Sequence, residues 1–98
     1  MAQFDVHRLV GGGLVIDCQS RLLDQLNTRF VVPLISCESA PTPAQRLNPV
    51  FAISGHDHIM LTQFAAAIER RELGATIASL ADRALDITAA LDVLLSGV

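Results

Sequence analysis

This sequence has no tryptophan and no tyrosine, and 17% of its 98 residues are charged, where about 25% is usual. The balance is acidic, with a formal net charge of -3. Basic residues are few and scattered, and only Arg70 and Arg71 are adjacent. A nucleic-acid binder neutralises phosphates with a basic footprint, so its lack argues against RNA or DNA as a direct ligand. Cys18 and Cys37 are the only cysteines, and neither belongs to a CxxC pair. That is too little for a disulfide framework, and it leaves two small buried thiols in a reducing compartment as the expectation. The longest aliphatic block, Phe30 to Ile35, is far too short to span a bilayer and contains Pro33. Asp5, His7 and Arg8 interrupt any apolar signal region. A soluble, cytoplasmic chain without internal repeats or low-complexity segments is expected.

What is abundant is aliphatic surface. Hydrophobic residues make up 51% of the chain. A chain of this length makes one domain, residues 1–98, and buries about two-thirds of its unfolded surface. So apolar a composition in so small a domain predicts an apolar patch left outside, for a second copy or a protein partner.

The C-terminal stretch organises the rest. Ile77, Leu80, Ala84, Ile87, Leu91, Leu94 and Val98 recur at steps of three and four, the spacing of one helix face. Arg83, Asp86 and Asp92 fall off that face. The spacing predicts a helix over about Asp82 to Leu95, capped by the Asp82 carboxylate and ended by Gly97. Such a helix is too short to stand alone in water and must lie on a surface.

Strands supply that surface. Gln3 to His7 alternates polar and apolar. Gly11-Gly12-Gly13 reads as a hairpin loop leading into Leu14 to Gln19. A phosphate cradle would need a helix N-terminus or a Lys-Ser/Thr pair downstream, and neither follows. Leu22 and Leu23 stand side by side between Arg21 and Asp24, either as an exposed pair for a partner or as a plug over a barrel end. Phe30 to Ile35 looks buried on both faces, with Pro33 marking an edge or a bulge. Glu38 to Asn48 is a loop containing Pro41 and Pro43. Pro49 to Ile53 and Ile59 to Thr62 are two more strands. Phe64 to Ile68 reads as a helical turn, followed by a strand to about Leu73. Glu69 to Glu72 is a solvated, charge-balanced edge. About five strands and a final helix predict an α+β domain, a partly closed antiparallel barrel with the helix packed on it.

Catalytic chemistry is poorly supported. His56-Asp57-His58 has the residue types of a zinc site, but only lone His7 could join it, and exposed turn residues are the simpler reading. No Ser/His/Asp order or carboxylate pair stands in a convincing context.

Taken in order, several segments resemble the CcdB family, the toxins of type II toxin–antitoxin modules. They are Gln3-Phe4-Asp5-Val6, Cys18-Gln19-Ser20, Leu22-Leu23-Asp24, Val31-Val32-Pro33-Leu34 and Leu47-Asn48-Pro49-Val50-Phe51. Further on are Arg70-Arg71-Glu72-Leu73-Gly74, Ala78-Ser79-Leu80-Ala81, and Ala90-Leu91-Asp92 through Gly97. Each is weak alone, but co-linear over nearly the whole chain they are specific. The resemblance implies an SH3-like barrel with a C-terminal helix and a homodimer without cofactor or enzymatic activity. Its implied target is the A subunit of DNA gyrase, trapped on cleaved DNA, and its implied antagonist is an antitoxin with a disordered C-terminal segment. It places gyrase contacts at Asp92, Leu95, Ser96, Gly97 and Val98, and a partner or antitoxin contact at Leu22 and Leu23.

The plasmid-borne archetype of this family ends in Phe-Trp-Gly-Ile, whose Trp stacks on a gyrase arginine. Here those positions read Leu95-Ser96-Gly97-Val98, an ending that resembles the chromosomal branch. A dimeric relative with weak, lost or retargeted gyrase activity is the alternative. A ribonuclease of the related MazF type would need a basic groove and a general base beside an arginine, which the acidic balance disfavours.

Overall fold

Alternating apolar side chains and tight glycine turns build two hairpins. In a computed structural model, which describes residues 2–39, 42–44 and 46–97, β1 (Asp5–Leu9) and β2 (Leu14–Asp17) pair antiparallel. Pro41 and Val98, both named above, lie outside the described residues. The triglycine segment closes this hairpin: the Leu9 N–H donates to the Gly13 carbonyl at 2.9 Å. Gly12 and Gly13 take positive φ of 101° and 92°, a region open chiefly to glycine. β3 (Thr28–Ser36) follows on β2. β4 (Val50–Ile53) and β5 (His56–Met60) form the second hairpin over Ser54–Gly55. Both turn residues have positive φ, which matches the natural strand twist. β6 (Ala66–Glu69) and β7 (Leu73–Ser79) complete the sheet, in the order β4-β5-β3-β2-β1-β7 with β6 also on β3.

β3 is the hub. Its first half, Thr28–Val31, pairs with β6, and its second half, Leu34–Ser36, pairs with β5 on the same side. Pro33 sits at the switch between these partners, which explains a proline in a central strand. The Leu61 N–H donates to the Pro33 carbonyl at 2.9 Å. A residue's nitrogen and carbonyl point to the same side of a strand, so the donor that Pro33 lacks would have faced the gap between β6 and β5.

The sheet curls until both faces of its central strands are buried. One face carries Val6, Ile16, Val32, Leu34, Phe51, Ile53 and Met60, and the helical segment adds Leu80, Ile87 and Ala90 to this core. The cross-strand neighbours on the other face, His7 beside Val15 and Asp17 beside Val31, are buried too. The expected architecture is therefore observed, with seven strands among the described residues where about five were expected: an α+β domain, an SH3-like, partly closed antiparallel barrel with a C-terminal helix.

The detail between residues 62 and 84 departs from expectation. A 3₁₀ turn at Thr62–Phe64 precedes β6, and a second one at Arg70–Glu72 separates β6 from β7. That second turn closes as a capping box between Glu69 and Glu72, so the charged segment is a corner and not a strand edge. Ile77 belongs to β7, not to the helix. The helix α1 spans Ala84–Ser96 after a third 3₁₀ turn, Ala81–Arg83. Asp82 lies inside that turn and caps nothing; Arg83 is the residue before α1 and makes no side-chain cap bond. The reason is Leu80, which is buried and whose N–H donates to the Phe4 carbonyl at 2.8 Å. Pinned there, the chain turns immediately, before Asp82 can reach a cap position. Cys18 is buried as expected, but Cys37 is exposed, because β3 ends at Ser36 and leaves Cys37 in the following turn.

Candidate functional site

The first candidate surface is the far end of α1. Ile87 and Ala90 anchor the helix in the core, and contact with the sheet fades beyond Leu91. Asp92, Leu95 and Ser96 are all exposed, and Leu95 is 80% exposed. The helix ends at Gly97 with φ 75° and ψ 15°, the left-handed conformation expected of it, and its N–H donates to the Val93 carbonyl at 2.9 Å. The Ser96 hydroxyl donates to the Asp92 carbonyl at 2.9 Å, so it is committed to its own helix. The last turn contains no basic residue. Asp92 therefore adds its charge to the negative end of the helix dipole, and the tip presents an apolar Leu95 in an electronegative setting. Val98, the last of the expected contact residues, lies outside the described residues.

The second surface is the 3₁₀ turn Arg21–Leu23, none of whose residues is buried. Leu22 is 86% exposed and Leu23 45%. Of the two readings of this leucine pair, the structure selects exposure over a plug. Leu26 and Phe30 continue the apolar surface nearby in sequence. The turn is started by Ser20, whose Oγ accepts from the Leu22 N–H at 3.1 Å. The Gln19 amide donates to the Leu23 carbonyl at 2.9 Å.

Beneath the turn lies a charged cluster that no periodic pattern in the sequence announces. Arg29 is completely buried and donates to Asp17 Oδ2 through Nε at 3.0 Å and through Nη2 at 2.7 Å. Its Nη1 reaches Asp24 Oδ1 at 3.0 Å. Burial alone would lower the guanidinium pKa; hydrogen bonds to Asp17 and then Asp24 outweigh it and raise the pKa, so the cation persists at every working pH. From the side, Arg70 Nη2 donates to the Leu26 carbonyl at 3.0 Å and also to that of Asp24.

The two surfaces are held independently. Hydrogen bonds of the helix tip run within α1, whereas those of the turn run to Gln19 just past β2, to β3 and to the Arg70 corner. The other residues singled out in the sequence do not converge on a reaction centre. His56 and His58 lie on β5, with His58 Nδ1 at 2.9 Å from the His56 carbonyl. Among the described residues, no group of three His, Cys, Asp or Glu side chains is placed to hold a metal ion. His7 is buried on β1 with Nδ1 at 3.2 Å from the Gly74 carbonyl, and its Nε2 is buried without a partner among the described residues. No helix among the described residues is long and apolar enough to cross a membrane.

The comparison with family models matches the one for the CcdB protein over residues 3–97. No curated protein matches the chain.

Proposed function

Because the chain belongs to the CcdB family, and so to a family of toxins from toxin–antitoxin systems, we propose that it is a gyrase-directed toxin. In this reading it binds the A subunit of DNA gyrase, traps the enzyme on cleaved DNA, and is silenced by an antitoxin. It acts as a cytoplasmic homodimer and by binding, not by catalysis. The observation that carries the reading is the geometry of the α1 end: an exposed Leu95 on a helix closed by a left-handed Gly97 and projecting beyond its core anchors. Asp92, Leu95, Ser96, Gly97 and Val98 form the gyrase contact, and Leu22 and Leu23 form the antitoxin contact. Dimerisation accords with the large apolar side chains left exposed, among them Phe64 and Leu85.

Ser96 supports a second reading, a family member that binds without strong poisoning. Its hydroxyl is turned back onto the helix, and a short polar side chain offers no aromatic anchor of the kind that dominates many interfaces. Replacing it tests the tip as the interface. Calorimetry of Ser96→Trp against the gyrase A subunit should show binding tightened by about tenfold or more, since a buried aromatic anchor contributes on the order of 2 kcal/mol. Equal affinities of the two forms would remove the tip from the interface.

A further inference from the structure

The two acidic residues of α1, Asp86 and Asp92, differ in how their charge is met. Asp86 is paired: Arg83 Nε donates to its Oδ2 at 2.7 Å. The same guanidinium lies over the Phe51 ring, 4.7 Å from its centroid, so Arg83 is committed at the start of the helix. Asp92 is exposed and has no ion pair among the described residues. Its neighbours one turn before and after are Thr88, Ala89, Leu95 and Ser96, and none of them carries a compensating charge. The last turn of the helix holds no basic residue either. A helix end favours one there, because its final carbonyls point outward unmatched. In the free chain, then, the Asp92 charge is uncompensated and stands close to a helix pole of its own sign.

Leu95 is three residues further on, hence a neighbour on the helix surface, and it is 80% exposed. A carboxylate beside bare aliphatic surface suits one kind of side chain above others. Lysine and arginine carry an apolar stem below a cationic head. The stem can cover Leu95 while the head reaches Asp92 and the outward carbonyls. A metal ion would need several oxygens around it, and no such group stands here among the described residues. Ser96 does not compete for the cation's place, because its hydroxyl is turned back onto the Asp92 carbonyl.

We infer that Asp92 is a specificity-determining contact whose carboxylate pairs with a basic side chain of the gyrase A subunit. The inference rests on the reading of the α1 end as the gyrase contact, and it names the chemistry of what that end meets. An enzyme that grips DNA must display basic side chains along the DNA path. A chain of net charge -3 is drawn to such ground. The ion pair supplies attraction at a tip where Ser96 offers no aromatic anchor.

Two variants of the full chain test this. Asp92→Asn keeps the shape of the side chain and removes its charge, and Asp92→Lys reverses the charge. Each is followed by thermal unfolding, and by calorimetry against the gyrase A subunit at about 50 mM and about 300 mM salt. In the free chain Asp92→Asn should raise the unfolding midpoint by about 2–4 °C, since it removes a like charge near the helix end. Its affinity for the subunit should nevertheless fall about tenfold at the lower salt and by less at the higher. Asp92→Lys should lose about a hundredfold or more. A role confined to the fold would move stability and affinity together, so a midpoint that falls along with the affinity would overturn the inference. A loss that does not shrink with salt would overturn it too. So would wild-type affinity in Asp92→Asn at the lower salt, although the tip would then still stand as the contact. If the wild-type chain does not bind the subunit at all, the gyrase reading itself fails and the ion pair falls with it.

Discussion

Cys18 lies just past the end of β2, inside the core cluster with Phe4 and Val32. Its thiol is pushed from an ordinary 9.0 up to about 12, first by burial and then by the neighbouring Asp17 charge. The folded chain keeps this proton after the unfolded chain has released it. The thiol therefore supports folding fully below pH 9, and that support drains away as the pH climbs toward 12. The chain has no lysine and no tyrosine, so neither of those groups titrates in that window. Urea unfolding at stepped pH should show stability falling above pH 9 at up to about 1.4 kcal/mol per pH unit. Cys18→Ala should flatten this alkaline limb, although it lowers stability at neutral pH. A limb of equal slope in Cys18→Ala would mean that another group controls alkaline unfolding. At this scale the sequence showed which residues were unusual but not where they pointed. Leu22 and Leu23 stood out as adjacent leucines, yet only their exposure in the folded chain shows that both face outward. Arg29, Asp17 and Asp24 gave no signal, because the pairing depends on β2 lying beside β3 and follows no local period.

Among the elements, β7 was the least legible and α1 the most misleading at its start. Ile77, Leu80 and Ala84 continue the helical spacing by coincidence: Ile77 is in a strand, Leu80 in the linker and Ala84 at the first position of α1. A three-and-four spacing read over so few residues cannot separate these cases. The end of the helix was readable because Gly97 has one dominant use there. β7 pairs with β1 through two register shifts, so bulges re-aim its side chains and blur the alternation that identifies a strand.

Gly74 shows how closely these two strands approach. A Cβ at that position would stand 2.6 Å from the Arg8 carbonyl oxygen, a backbone atom that cannot swing aside. Gly74→Ala should therefore destabilise the fold by about 1–3 kcal/mol, the usual cost of overpacking. Gly11→Ala, where an added Cβ meets nothing within 4 Å, should stay within about 0.5 kcal/mol of wild type. Denaturant midpoints of the two variants measure the contrast, and equal midpoints would show that β7 can move away from β1.

For the molecule as a whole, the barrel serves as a rigid mount for two separate surfaces. The helix tip is carried on Ile87 and Ala90, and the leucine turn on the Arg29 cluster. The α+β class and the partly closed barrel were readable from the order of strands and helix. The roles proposed for the two surfaces were not, because a short exposed helix end and two leucines in a turn have no chemistry of their own. Those roles came from the co-linear resemblance, and the match over residues 3–97 supports the family. In the proposed function the chain poisons gyrase through the end of α1 despite having Ser96 where an aromatic anchor would be. Its most direct test is a DNA cleavage assay with purified gyrase from the source organism, comparing the full chain with one lacking residues 96–98. Double-strand breaks should accumulate with the full chain and disappear with the deletion. Breaks that persist without residues 96–98, or no breaks and no gyrase binding at micromolar concentration of the full chain, would contradict that function.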